Sequence, residues 1–439
     1  MVGTKHGEAG EQFGASSVEN VKAGANVAPD TGKPLTKSMN FRFACGFALV
    51  SILWALPFFM GSSVLLPHVF DGMKGVSAEG AIAVVNSVSS IFSLVANIVF
   101  GALSDMSRFK VGKRTPWIVL GGFIAAVGYI TSFNAHSLAI VVVGWCVVQV
   151  GLNCIIAPAV AVLSDRIPEL TRGTFSALYG AGMIVGQQLG TFVGSFFLSN
   201  VHTGAIIGTG IFFFSGIIVV LVWPREKSAA TNDTKVSAVD LARSFIPPTK
   251  NCRDFYLALG GRLVFVIGAF MISGYQLFIL QKYIHLSLDA SKTALQLIAV
   301  ITVITTIAAS AISGPLSDFL QRRKIIVAAS TVLFAVGLAI PFFIPTATGM
   351  YIYAALAGIA NGCYMSVDQA LNVDMLPNPD EAGKDLGILN LSNTIGQVLA
   401  PVFTTQVIAM TGGYKMVFPV AIVFLLAGTF FIMAIRKVK

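Results

Sequence analysis

The sequence predicts an all-α integral membrane protein, with twelve transmembrane helices in two pseudo-symmetric six-helix bundles. Three observations carry this. First, the 439 residues are 55% hydrophobic and only 11% charged, whereas a soluble domain carries about 25% charged residues. Second, predominantly apolar runs of about 20 residues, the length that crosses a bilayer core, recur twelve times. Third, short polar motifs return in the second half of the chain at a nearly constant offset.

The elements follow in order. Residues 1–40 are polar and rich in Gly, Ala and Glu, show no cleavable leader pattern, and read as a disordered cytoplasmic tail. An N-terminal bundle over 41–223 holds runs at 41–66, 81–103, 116–135, 138–163, 175–199 and 205–223. Residues 224–255 form a polar linker containing Arg225, Lys227, Lys235, Arg243, Lys250 and Arg253, and read as cytoplasmic. The C-terminal bundle over 256–439 holds runs at 257–283, 293–316, 325–345, 349–372, 386–410 and 414–435. Pro57 and Pro158 lie inside the first and fourth runs, where they can kink the helix.

Charge sets the orientation. In a soluble protein a formal charge of +9 would invite a nucleic-acid reading, but here the basic residues segregate to one side. With the N-terminus cytoplasmic, all but five of the 29 Lys and Arg residues fall on the cytoplasmic side; Lys74, Lys282, Lys292 and Lys415 fall outside and Arg262 lies within a span. Both termini are then cytoplasmic, and the plasma membrane is the expected location, with no nucleic-acid partner. Cys45, Cys146, Cys154, Cys252 and Cys363 show no paired or metal-ligand spacing. His68, His136, His202 and His285 fall near external ends or loops and His6 in the tail, away from any mid-span proton relay.

The repeat lies in three places. Gly101-Ala-Leu-Ser-Asp105 after span 2 parallels Gly314-Pro-Leu-Ser-Asp318 after span 8. Basic residues follow each: Arg108, Lys110, Lys113 and Arg114, then Arg322, Arg323 and Lys324. Asp165 and Pro168 after span 4 parallel Asp374 and Pro377 after span 10, and Gly186-Gln187 parallels Gly396-Gln397. The offsets are 213, 209 and 210 residues, which indicates a duplicated unit. A glycine at a span end lets a neighbouring helix approach closely. An aspartate at the boundary can cap a helix or pair with arginine. Gly101, Asp105, Arg114, Asp165, Gly314, Asp318, Arg322 and Asp374 therefore form a candidate cytoplasmic gate; the alternative is that they only anchor and orient the loops.

The pattern Gly101-x-x-x-Asp105 followed by Gly112-Lys113-Arg114 resembles the signature loop of the major facilitator superfamily, stretched so that six residues separate Asp105 from Gly112 where the common form has two. The run from Ser104 through Arg108 and Gly112 to Pro116-Trp117 is similar to the sucrose–proton and glycoside–pentoside–hexuronide symporter branches. The second copy departs from the pattern, with Gln321 where the loop glycine would stand. The resemblance covers residues 40–436. It implies an alternating-access carrier that works as one chain, with a site between the halves near mid-membrane, lined by spans 1, 4, 7 and 10.

Ionisable groups inside a span are costly and mark function by default. Only Arg262 in span 7 and Asp368 in span 10 lie well inside, each about 9 Å from the cytoplasmic boundary by the helical rise. A pair is expected, because arginine keeps its proton and needs an anion while aspartate can shed its charge. Asp368 modulated by Arg262 is the candidate proton-coupling device; the alternative is a static salt bridge, and sodium is the other candidate ion. Candidate substrate-binding groups are Gln149, Asn153, Gln187, Tyr275, Gln276, Asn361, Tyr364, Asn390, Asn393 and Gln397, since amides both donate and accept and suit a solute with many hydroxyls. Amides also hold transmembrane helices together. The expected function is secondary active transport of a small polar solute, a sugar or glycoside, by proton-coupled symport. The alternative is an efflux or uptake carrier for a non-sugar solute. No metal cluster, nucleophile elbow or phosphate loop points to an enzyme, and no cofactor beyond a coupling proton is expected.

Overall fold

The structure is a computed structural model that describes residues 27–73, 75, 77–230, 252–320, 322–375 and 382–436, with the side chains of residues 169–170, 314–315, 318, 369–370, 372–374, 382–387 and 390 outside the described set. Of the expected site residues, Gly314, Asp318, Asp374 and Asn390 therefore lie outside the described residues.

Among the described residues, twelve helical rods follow one another: α1 Lys37–Asp71, α2 Ala78–Asp105, α3 Thr115–Phe133, α4 Leu138–Arg166, α5 Glu169–Phe196, α6 Val201–Val222, α7 Arg253–Ser273, α8 Leu288–Leu320, α9 Arg323–Phe343, α10 Ala347–Asp374, α11 Ala382–Thr411 and α12 Val417–Met433. Nine stretches of the described residues are long and apolar enough by themselves to cross a membrane. Rods α5, α10 and the short α12 are not among them. The first two carry glycines and polar residues on the faces they turn to the interior, which lowers their mean hydropathy.

Local chemistry sets the ends. Thr36 accepts from the Met39 amide at 3.2 Å, Ser77 from Gly80 at 3.2 Å and Asn200 from Thr203 at 3.2 Å, each satisfying an orphan donor of a first turn. Pro116 occupies the first turn of α3, where a missing N–H costs nothing. The first rod of each half widens into a π turn toward its far end, at Met60–Leu65 in α1 and at Ile279–Tyr283 beyond α7. Within the stretch read as a tail, Ala28 pairs with Lys33, and Asp30 sits 3.1 Å from Arg166.

Rods α1–α6 form one half and α7–α12 the other. The halves meet where α5 packs on α8 and α2 on α11, the two crossings expected of a duplicated unit related by a pseudo-two-fold axis. Lipid offers no hydrophobic drive between helices, so close backbone approach carries the packing. Rods α3 and α4 show this most. A Cβ added to Gly151 would strike the Ala125 backbone and lie 2.8 Å from the Gly121 carbonyl; one on Gly128 would lie 2.6 Å from the Gly144 carbonyl. Gly101 behaves differently. Nothing lies within 4 Å of an added Cβ there, so the close approach expected at Gly101 is absent and the motif glycine faces open space. We expect Gly151→Leu to cost about 3 kcal/mol or more through overpacking and to abolish the monodisperse peak in size-exclusion chromatography. Gly101→Ala serves as the neutral control.

Candidate functional site

A cavity of about 530 Å³ lies between the halves. Every one of α1, α2, α4, α5, α7, α8, α9, α10 and α11 contributes to its wall. Of the expected substrate groups, Gln149, Asn153, Gln187, Gln276, Asn361, Asn393 and Gln397 line it, as do Trp54 and Gln188. Among the described residues, no charged side chain lines it. The wall is thus neutral, with amides and hydroxyls set among aromatic faces such as Phe58, Phe265 and Phe270.

Two expected contacts sit elsewhere. Tyr364 is 1% exposed and stacks flat on Phe265, ring centroids 3.8 Å apart, so Phe265 stands between it and the cavity. Tyr275 is equally buried; its hydroxyl lies 3.4 Å from the Pro401 carbonyl and 3.4 Å from Thr405, and it lines a smaller space of about 70 Å³ that shares wall residues with the main cavity. Asn153 lines the cavity but is committed internally. It accepts from Asn97 at 2.9 Å and donates to Ser93 at 2.7 Å and to the Gln149 carbonyl at 2.9 Å. It ties α4 to α2 and leaves little for a solute.

Arg262 and Asp368 meet. A guanidinium Nη1 lies 3.5 Å from a carboxylate Oδ2, with the side chains 4% and 7% exposed. Matching depth on two cavity helices was the basis for expecting the pair, and their azimuths complete it. Arg262 Nε also donates to Asn393 Oδ1 on α11 at 3.0 Å. The ion pair lies behind the cavity wall, and Asn393 is a wall residue that touches it through Arg262.

At the rim where α1 begins and α12 ends, Arg114 is 3% exposed and serves as a hub. It bonds Asp105 and Ser104, and its Nε donates to Asp165 Oδ2 at 2.8 Å; Lys113 adds a 3.1 Å pair to the same carboxylate. Asp105 and Asp165 are thereby joined through one arginine, from the end of α2 to the end of α4. Both ends belong to the first half, so this latch braces one bundle. Arg322, the expected second-half counterpart, is exposed where the chain enters α9.

At the opposite rim the halves are tied to each other. Lys282 reaches Asp71 at 2.8 Å and Glu79 at 3.0 Å. Glu79 also accepts from the Tyr414 hydroxyl at 2.6 Å, and its backbone carbonyl accepts from Thr405 at 3.3 Å. Glu79→Gln loosens this clasp. We expect a cysteine introduced as Gln276→Cys to react about tenfold faster with a membrane-impermeant maleimide added from that side.

Comparison with known proteins agrees with this architecture. The Major Facilitator Superfamily profile matches residues 41–281 and 262–439. The chain belongs to the Major Facilitator Superfamily. It is 30% identical over 163 residues to a protein of Agrobacterium vitis called "Putative tartrate transporter", covering 35% of each chain. It is 23% identical over 238 residues to "Citrate exporter 1" of Yarrowia lipolytica, covering 49% of this chain and 34% of that one. The chain thus spans about a third of the length of these curated relatives. The crystal structure of the nucleoside transporter NupG superposes with a TM-score of 0.70 at 15% identity, over 90% of this chain and 99% of that one. The family is one of transporters and not of enzymes.

In this facilitator the signature loop is completed by a residue that the motif does not contain. Glu226, just beyond α6, accepts from the backbone amides of Lys113 and Arg114 at 3.1 Å and of Thr115 at 3.0 Å, and from the Thr115 hydroxyl at 3.0 Å. A carboxylate is favoured there by the unpaired N–H groups and dipole of α3. The loop turns back on itself at Gly112, whose φ of +112° disfavours a side chain and where an added Cβ would collide with the Glu226 carboxyl. Other residues that sequence reasoning missed are Ser90, Ser93 and Asn97 on α2 and Thr302 and Thr306 on α8, all lining the cavity. A search for amides and hydroxyls sharing one helix face would have found Ser90, Ser93 and Asn97, spaced three and four apart. We expect Glu226→Ala to lower stability by about 1–2 kcal/mol, the worth of a charged N-terminal cap. A lower thermal midpoint in detergent, partly restored in Glu226→Gln, checks this.

Proposed function

We propose that the chain is a proton-coupled secondary transporter of an uncharged, hydroxyl-rich solute, a sugar or glycoside. It works as one chain in the plasma membrane, with its termini cytoplasmic. The observation that carries the reading is the cavity wall. Amides and hydroxyls from both halves line about 530 Å³, and no described charged side chain is among them. Each amide offers both donor and acceptor to a hydroxyl, and aromatic faces such as Trp54 and Phe265 suit the apolar faces of a sugar ring. The volume falls within the usual range for small-molecule sites. The Arg262–Asp368 pair, beside the cavity and away from water, supports Asp368 as the proton carrier. The resemblance of the signature loop to the sucrose–proton and glycoside–pentoside–hexuronide branches supports the same solute class.

A second reading is favoured by the names of the relatives, which specify tartrate and citrate. In it the solute is a small carboxylate and Arg262 is its anchor. The two readings make opposite demands on the wall: a carboxylate must displace Asp368 from Arg262, whereas a sugar need not touch the pair. Uptake into membrane vesicles decides. A panel of labelled sucrose, glucosides, tartrate and citrate is tested with and without an imposed pH gradient. Accumulation of a sugar that collapses with the gradient supports the first reading. Accumulation of tartrate or citrate alone replaces it with the second.

A further inference from the structure

We propose that Asn393 is the positioning residue that links solute in the cavity to the protonation of Asp368. The inference rests on the proton-coupling reading of Asp368 given above and goes beyond it. Arg262 and Asp368 are both almost fully buried, and neither lines the cavity. A solute therefore acts on them through another group. Asn393 is placed to be such a group: it lines the cavity and accepts from Arg262 Nε at 3.0 Å.

The geometry divides one guanidinium between two acceptors. The Nε bond to Asn393 has the ordinary length of 3.0 Å, while Nη1 lies 3.5 Å from Asp368 Oδ2, longer than a well-made charged hydrogen bond. Asn393 and Asp368 thus compete for Arg262 from α11 and α10. The amide has two ends. Its oxygen is committed to Arg262, so its NH2 is what Asn393 can donate to a solute hydroxyl. A donated hydrogen bond polarises the amide and makes its oxygen a stronger acceptor, because linked hydrogen bonds reinforce one another. Solute binding then draws Arg262 toward Asn393 and away from Asp368. A carboxylate that loses its cation binds a proton more readily. Solute and proton therefore load together, as symport requires, and each promotes the other by the reciprocity of linkage.

The first measurement needs no solute. The carboxyl band of Asp368 is titrated by difference infrared spectroscopy in the full-length protein, with Asp368→Asn identifying the band. Asn393→Ala removes the competing acceptor, so Arg262 closes on Asp368 and the titration midpoint falls by about one pH unit. Asn393→Asp, nearly isosteric and so the safeguard against a variant that does not fold, grips Arg262 harder and raises the midpoint by a similar amount. Opposite shifts from one position are not expected of a residue that only packs. Midpoints within about 0.3 units of the wild type in both variants, or shifts of the same sign, overturn the proposal and leave the coupling reading of Asp368 intact. A wild-type protein without a titrating Asp368 band overturns both.

Discussion

Asp368→Asn is expected to exchange solute across the membrane and to lose accumulation against a gradient. An imposed difference of about two pH units stores about 2.7 kcal/mol per proton, enough for about hundredfold accumulation at one proton per solute. The neutral amide keeps the shape of the carboxylate and can still accept from Arg262, so the cavity and the movement of the halves persist. What it cannot do is alternate between a charged and an uncharged form. Accumulation should fall from that limit to about onefold, while counterflow between labelled and unlabelled solute stays within about twofold of the wild type. The pair of measurements is the test. Loss of both implies a structural role for Asp368, and retention of uphill accumulation removes it from the coupling step.

The second large effect concerns stability. Arg262→Leu strands a carboxylate that is only 7% exposed behind the cavity wall. Removing one member of a buried ion pair typically costs about 3–5 kcal/mol, because the remaining charge is buried without its counter-ion. The loss is avoided if Asp368 takes up a proton, so the variant should be markedly more stable in mildly acidic than in alkaline buffer. The double variant Arg262→Leu with Asp368→Asn should recover most of the lost stability, since it removes both charges of the pair. Thermal unfolding in detergent across pH checks both statements. A single variant as stable as the wild type at alkaline pH would show that water or another cation reaches Asp368.

These two residues were legible because charge is rare in the spans. With only 11% of the residues charged, an acid and a base inside apolar runs stand out, and the helical rise places them at one depth. The amides were less distinct. On α10, Asn361 faces the cavity whereas Tyr364 and Asp368 turn toward α7, where Phe265 and Arg262 receive them. A stripe at i, i+3 and i+7 is broad enough to serve two neighbours, and spacing alone does not separate them. The wall contributed by α2 was overlooked because the family pattern directs attention to the first, fourth, seventh and tenth helices, while Ser93 and Asn97 reach the cavity beside Asn153.

By itself, the sequence determined what depends on a helix and its solvent: an all-helical membrane fold, the duplication of the halves, and the rarity of charge inside the apolar runs that singles out Arg262 and Asp368. Those properties are one-dimensional, because burial in lipid obliges the backbone to be helical and each residue then advances a fixed rise. Only the tertiary structure decided which side chains meet across helices. It placed Arg114 between Asp105 and Asp165 within a single half, and brought Glu226 from beyond α6 to cap α3. It clasped the halves at the far rim through Lys282 and Glu79, and set Asn393 between the cavity and Arg262. Each of these depends on how a helix is rotated about its axis and which neighbour it crosses. Those variables are set by packing between surfaces far apart in the chain, and no local spacing records them.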